Sequence, residues 1–218
     1  AWIWLFRSNN VKDLRERLEC RYWNEWEGED NTIGPAYGYQ LNKETYGYKS
    51  QLHYIVETLR KDPNSRRCIT EIWSVDDLPK MQLTPCVHLT QWSVAGDKLV
   101  LEVRARSTDV GLGLVSNVVQ YCILQKLVAD ELGLKVGEFI WSSHNAHIYD
   151  RHIDGMIEQV SNLNEVKQDW KLVIPENFPS ILKDWDIHND EDIEFIKGVH
   201  IENYKPSDFP KYNYEIAI

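Results

Sequence analysis

An α/β fold with a single packed domain is predicted by three observations. Residues 87–94 and 99–106 alternate apolar and polar about Ala95-Gly96-Asp97-Lys98, residues 117–132 are apolar around most of a helix circumference, and no internal repeat or linker divides the chain. Strand periodicity beside helix periodicity in one uninterrupted chain implies helices packed on a sheet. At 218 residues the chain is long enough for one substantial core.

The elements follow in order. Ala1 leads directly into Trp2-Ile3-Trp4-Leu5-Phe6, an apolar run without a cap, which reads as the middle of a helix. Asn10 suits the cap of a short helix over 11–18, with Leu14 and Leu18 four apart on one face. Residues 27–32, followed by Gly34 and Pro35, form a polar loop. Residues 51–59 read as a helix that Asp62-Pro63 ends, because the residue before a proline is pushed out of the helical region. Residues 68–73 alternate as a strand. In the hairpin, period two puts Leu99, Leu101, Val103 and Ala105 on a core face and Glu102, Arg104 and Arg106 on a face available to a site. Gly133 suits the left-handed position after the long helix. A strand over 136–141 and a helix over 151–163 follow, with Ile153, Ile157 and Val160 expected on the inner side. Residues 170–218 combine a strand-like 171–174, an acidic loop near 184–192 and a polar tail.

Composition narrows the function. A net charge of −10 argues against a broad nucleic-acid surface, which relies on many Lys and Arg contacts to phosphates. A nucleotide monomer needs only a local cluster. Four cysteines without a CxxC pair point to a reducing cytoplasm. No signal-peptide pattern and no apolar run of membrane-spanning length is present, so a soluble chain without a membrane partner is expected. Nine Trp and eleven Tyr supply both core and pocket walls for flat heterocycles.

The chemistry-bearing residues cluster around one thiol. Cys86 lies in Leu83-Thr84-Pro85-Cys86, and the strand that follows carries Arg104-Ala105-Arg106-Ser107-Thr108-Asp109. A thiol reacts as thiolate, and a neighbouring cation lowers its pKa, so Arg106 can serve both a thiolate and a phosphate. A lone cysteine is more commonly an inert core residue. Arg66 and Arg67 are adjacent; on a strand they point apart, unless the turn chemistry of Asp62-Pro63-Asn64-Ser65 intervenes, and as an isolated pair they read as surface charges. Asp109 reads equally as a turn residue. The Asn117 carboxamide offers a donor and an acceptor that match the O4 and N3–H of uracil, and it also suits a helix cap. His147 and Tyr149, two apart, share a strand face. His144, His147 and His152 match no common zinc spacing, so no metal is expected.

Together these pieces resemble the thymidylate synthase family. Tyr37 in Gly34-Pro35-Ala36-Tyr37-Gly38, the Asp62 to Arg67 run, Leu83 to Cys86, Gln91-Trp92, Arg106-Ser107-x-Asp109, Leu112-Gly113, Asn117 and His147-Ile148-Tyr149 occur in the family's order and spacing, and the likeness runs to Ala217-Ile218. The resemblance implies one thymidylate synthase-like domain over residues 1–218, with a large mixed sheet packed by helices and a sheet-to-sheet homodimer. It implies a cytoplasmic methyltransferase that converts dUMP to dTMP with 5,10-methylenetetrahydrofolate. Family members carry further residues upstream, so the chain is expected to be an N-terminally truncated fragment.

By the same resemblance Cys86 is the nucleophile, and Tyr37 acts near the C5 proton through water. Arg106 and Ser107 hold phosphate within the subunit, while Arg66 and Arg67 reach the partner's phosphate. Asn117 reads uracil, and His147 and Tyr149 bind the sugar hydroxyl. Asp109 orients the folate ring, with Trp23, Trp26, Leu83, Gly113 and Ile218 on the folate side. Departures from the family pattern are Gly111 and Ser116, where aromatics are usual, the run His144-Asn145-Ala146, and Val87 after the cysteine. Loss of those aromatics favours a pyrimidine nucleotide hydroxymethylase as the alternative, and the unusual 142–146 loop motivates a catalytically silent nucleotide-binding homologue.

Overall fold

The hairpin expected around Gly96 forms the centre of the sheet. In the computed structural model, which describes residues 7–162 and 169–204 together with Tyr212 and Tyr214, β2 (Val87–Ala95) and β3 (Lys98–Ala105) pair antiparallel. The short β1 (Ile69–Glu71) adds antiparallel to β2, and β5 (Lys135–Ser143) adds parallel to β3. The result is a mixed sheet in the order β1-β2-β3-β5. Two small pairs complete the strands: β4 (Thr108–Asp109) runs parallel to β6 (Ala146–His147), and β7 (Lys171–Val173) antiparallel to β8 (His200–Glu202). The alternation in β3 buries Leu99, Leu101, Val103 and Ala105, as period two requires.

Among the helices, α1 (Val11–Leu18) is capped by Asn10, whose Oδ1 accepts from the Asp13 amide at 2.9 Å. The short α2 (Gly38–Leu41) precedes α3 (Gln51–Lys61), which starts at a Ser50 cap and stops at extended Asp62. The central α4 (Gly113–Leu132) buries Tyr121, Ile123, Leu124, Leu127, Val128 and Ala129, and ends at Gly133 with φ 66°. That left-handed conformation is one glycine adopts without a Cβ penalty. Fully buried Gln125 on α4 donates to the carbonyls of Leu99 and Glu138, both at 2.9 Å, where the β3–β5 register shifts. Polar groups buried away from water need such partners.

Three expectations change. First, α4 begins at Gly113, with Leu112 at the cap position, so Asn117 is inside the helix and does not cap it. Residues 113–116 contain no proline to stop the helix earlier. Secondly, in α5 (Ile153–Ser161) the apolar Ile153, Ile157 and Val160 are 41%, 61% and 61% exposed. The covered flank carries Gly155 and Met156 instead, because the Tyr214 ring packs over Gly155 and its hydroxyl donates to Gln159 Oε1 at 3.0 Å. Thirdly, the acidic loop contains α6 (Asp190–Gly198), capped by Asn189 with Asp190, Glu191 and Asp192 in its first turn, where negative charge favours a helix N-terminus. The apolar opening at residues 1–6 and most of the polar tail lie outside the described residues. Among the described residues no helix is long and apolar enough to cross a membrane.

Candidate active site

Cys86 immediately precedes β2 and Arg106 immediately follows β3. Sheet pairing therefore brings them together: the Arg106 amide donates to the Cys86 carbonyl at 2.8 Å. The Arg106 side chain then grips the segment carrying the thiol. Its Nε donates to the Pro85 carbonyl at 3.0 Å, and its Nη2 to the Thr84 carbonyl and Oγ1 at 2.9 and 2.8 Å. The guanidinium also lies 6.0 Å from the Trp73 ring centre, within cation–π range.

Tyr37 holds Cys86 from the other side. The Cys86 amide donates to Tyr37 Oη at 3.0 Å. Tyr37 reaches this position with φ 43° and ψ −104°, an unfavoured conformation of the kind that costs about 1–3 kcal/mol and gathers at functional sites. The next residue must be small: a Cβ on Gly38 would sit 2.1 Å from the Ser8 carbonyl oxygen. The motif Gly34 to Gly38 is thus a bend that aims one phenol at one cysteine.

Burial governs the electrostatics. It pushes the half-buried Cys86 thiol above its ordinary range, outweighing Arg106 and the Tyr37 hydroxyl, which lower it, while Asp109 adds to the rise. A cation beside the thiol led to the opposite expectation, and desolvation of the thiolate is the reason for the difference. Burial raises Tyr37 well above the ordinary phenol range, so it is a neutral hydrogen-bonding group and not a ready base. Tyr22 is pushed up to about 12, by burial first and then by Asp109.

These groups line one cleft of about 310 Å³. Cys86, Tyr37, Arg106, Ser107, Asp109, Asn117, His147 and Tyr149 face it together with Trp23, Trp26, Leu83 and Gly113. The β4–β6 pairing sets Asp109 opposite His147. Asp109 Oδ1 accepts from the Gly111 amide at 3.0 Å, and the His147 ring meets Tyr149 edge-on at 4.9 Å. A wider open depression of about 630 Å³ lies between the end of α4 and β7, but its side chains are already paired, Lys126 with Asp130 and Ser180 with Glu131.

Arg66 and Arg67 do not join this cleft. Both are exposed and line a separate depression with Asp62, Asn64 and Ser65. The expected turn is present, with the Asn64 amide donating to Asp62 Oδ1 at 3.0 Å. Ile218 lies outside the described residues. Tyr22 and Leu112 line the cleft although the sequence did not single them out as site residues; for Tyr22 the available signal was its place beside Trp23 and Trp26. Thr84, inside the quoted cysteine motif, was also missed as an Arg106 partner. Gly111 has a local explanation: a Cβ there would come within 3.2 Å of His152 Nδ1 and 3.3 Å of Met156 Sδ. Buried His152 thus fills the space beside Asp109, with Nδ1 3.9 Å from Asp109 Oδ1. Ser116 is not part of the cleft lining.

The family model described as thymidylate synthase matches residues 1–218. The chain is 55% identical over 217 residues to a thymidylate synthase of Fusobacterium nucleatum, covering 100% of this chain and 73% of the relative. A thymidylate synthase of Bacillus subtilis subsp. natto is 40% identical over 222 residues, covering 100% and 74%. The solved structure of thermostable thymidylate synthase A from Bacillus subtilis superposes with a TM-score of 0.81 at 38% identity, covering 100% of this chain and 75% of that one.

Proposed function

The chain belongs to the thymidylate synthase family, and we propose that its cleft performs the reductive methylation of dUMP to dTMP, with 5,10-methylenetetrahydrofolate as co-substrate. The observation that carries this reading is Cys86, held through its backbone by Arg106 and Tyr37 and facing a cleft shared with Asn117 and Asp109.

Addition of the Cys86 thiolate to C6 of the uracil ring makes C5 nucleophilic, which divides a difficult substitution into easier steps. Loss of the C5 proton and later release of the thiolate restore the ring. The reduced folate supplies the one-carbon unit and the hydride and leaves as dihydrofolate. The residues present suit such a ligand: Trp23 and Trp26 offer flat apolar faces, and Asp109 offers an acceptor pair for an N–H edge.

The remaining roles follow from which groups are already engaged. Arg106 Nε and Nη2 are held by Pro85 and Thr84, so the phosphate contact falls to Nη1 and the Ser107 hydroxyl. Asn117 pairs with the uracil edge, and His147 and Tyr149 hold the sugar hydroxyl. Leu83, Gly113 and Ile218 complete the folate side. The exposure of Arg66 and Arg67 away from the cleft fits a role at the phosphate site of the partner in a cytoplasmic homodimer. Tyr37 carries its part through Cys86: it steadies the thiolate by hydrogen bonding.

The test is product identification. Incubation of the protein with dUMP and methylenetetrahydrofolate is expected to give dTMP by mass with one dihydrofolate formed per turnover. A hydroxymethyl nucleotide without dihydrofolate would overturn the proposal.

A further inference from the structure

One aromatic residue of the cleft has no role in the chemistry just described. Tyr22 packs edge-on to Trp23 at 5.7 Å and against Trp26 at 6.2 Å, and Trp23 in turn meets Tyr37 at 5.5 Å. These rings form one wall. The facing rim, at Leu112 and Gly113, carries no aromatic side chain. Tyr22 crosses towards that rim, because its Oη lies 4.0 Å from where a Cβ on Gly113 would stand, beside the Asp109 Cβ at 3.7 Å. Burial first, and then the charge of Asp109, keeps that hydroxyl protonated.

Resting on the proposed function, we infer that Tyr22 is a specificity-determining residue: its ring closes the gap between the tryptophan wall and the Gly113 rim against water, and its hydroxyl gives a hydrogen bond to the heterocyclic ligand held at Asp109. The two contributions are separable in chemistry. Water exclusion belongs to ring volume and would matter after C5 has acquired its one-carbon group, when water competes with hydride. The hydrogen bond belongs to the oxygen and would matter for folate affinity alone.

Tyr22→Phe and Tyr22→Ala separate them. For each protein the hydrogen lost from C5 of tritiated dUMP, the dTMP formed and the KM of both substrates are measured, with circular dichroism to confirm folding. Tyr22→Phe is expected to raise the folate KM about fivefold, the scale of one neutral hydrogen bond, while the dUMP KM and the one-to-one ratio of hydrogen loss to dTMP stay unchanged. Tyr22→Ala is expected to raise that ratio above one, with hydroxymethyl nucleotide accounting for the excess. Tyr22→Leu, which keeps apolar bulk, replaces it if the alanine variant does not fold, and is expected to lie between. A one-to-one ratio in the alanine or leucine variant, or equal shifts of both KM values in the phenylalanine variant, overturns the inference. Failure of the unmutated protein to form dTMP is a different result and counts against the proposed function itself.

Discussion

The Tyr37 hydroxyl accepts the Cys86 amide at 3.0 Å. A single phenol thereby fixes the backbone of the nucleophile, and its hydroxyl also lowers the thiol pKa. Tyr37→Phe removes that contact and that influence while keeping the ring that packs on Trp23. Turnover is expected to fall about tenfold to a hundredfold, with folding preserved by circular dichroism and with slower alkylation of Cys86 at fixed pH.

The pH dependence of Cys86 follows from burial. Its thiol is raised above the ordinary range, so the reactive thiolate is scarce in the free protein at neutral pH. Iodoacetamide labelling of Cys86 is expected to be slow at pH 7 and to climb through the alkaline range. Arg106 lowers the thiol pKa; Arg106→Gln removes that influence, so the climb is expected at still higher pH. Labelling of the variant at lower pH than the unmutated protein would contradict the proposed electrostatics.

Base selection tests Asn117. A carboxylate in its place suits the cytosine edge and leaves the uracil acceptor unmatched. Asn117→Asp is expected to shift the ratio of dUMP to dCMP affinity by about 1–3 kcal/mol towards dCMP. Titration calorimetry with both nucleotides reads that shift.

Stability tests the joint between α4 and the sheet. Gln125 satisfies two carbonyls at the β3–β5 register shift, and Gln125→Leu keeps the volume but leaves both without that donor. A loss of about 3 kcal/mol in urea denaturation is expected, the scale of stranding buried polar groups.

Legibility in the sequence followed the strength of the local signal. The β2–β3 hairpin and the buried face of β3 were readable because period two leaves one consistent assignment of faces. The start of α4 was misplaced because Asn117 looked like a cap, while nothing in residues 113–116 actually stops a helix. In α5 the spacing of Ile153, Ile157 and Val160 marked a face but not its direction, which packing of Tyr214 on Gly155 decides. The acidity of residues 190–192 concealed a helix start behind an apparent loop. For the cleft, motif spacing singled out the residues around Cys86 that the fold then gathers. It carried no information on desolvation, so the direction of the thiol pKa was read from Arg106 alone and came out reversed.

The central claim is that Cys86 forms the covalent bond to the nucleotide. Peptide mapping by mass spectrometry, after rapid acid quench of the protein with dUMP and methylenetetrahydrofolate, tests it most directly. A nucleotide mass on the peptide containing Cys86 is expected, absent in Cys86→Ala, which should still bind dUMP but form no dTMP. Undiminished dTMP formation by Cys86→Ala, or a nucleotide adduct on a different residue, would contradict it.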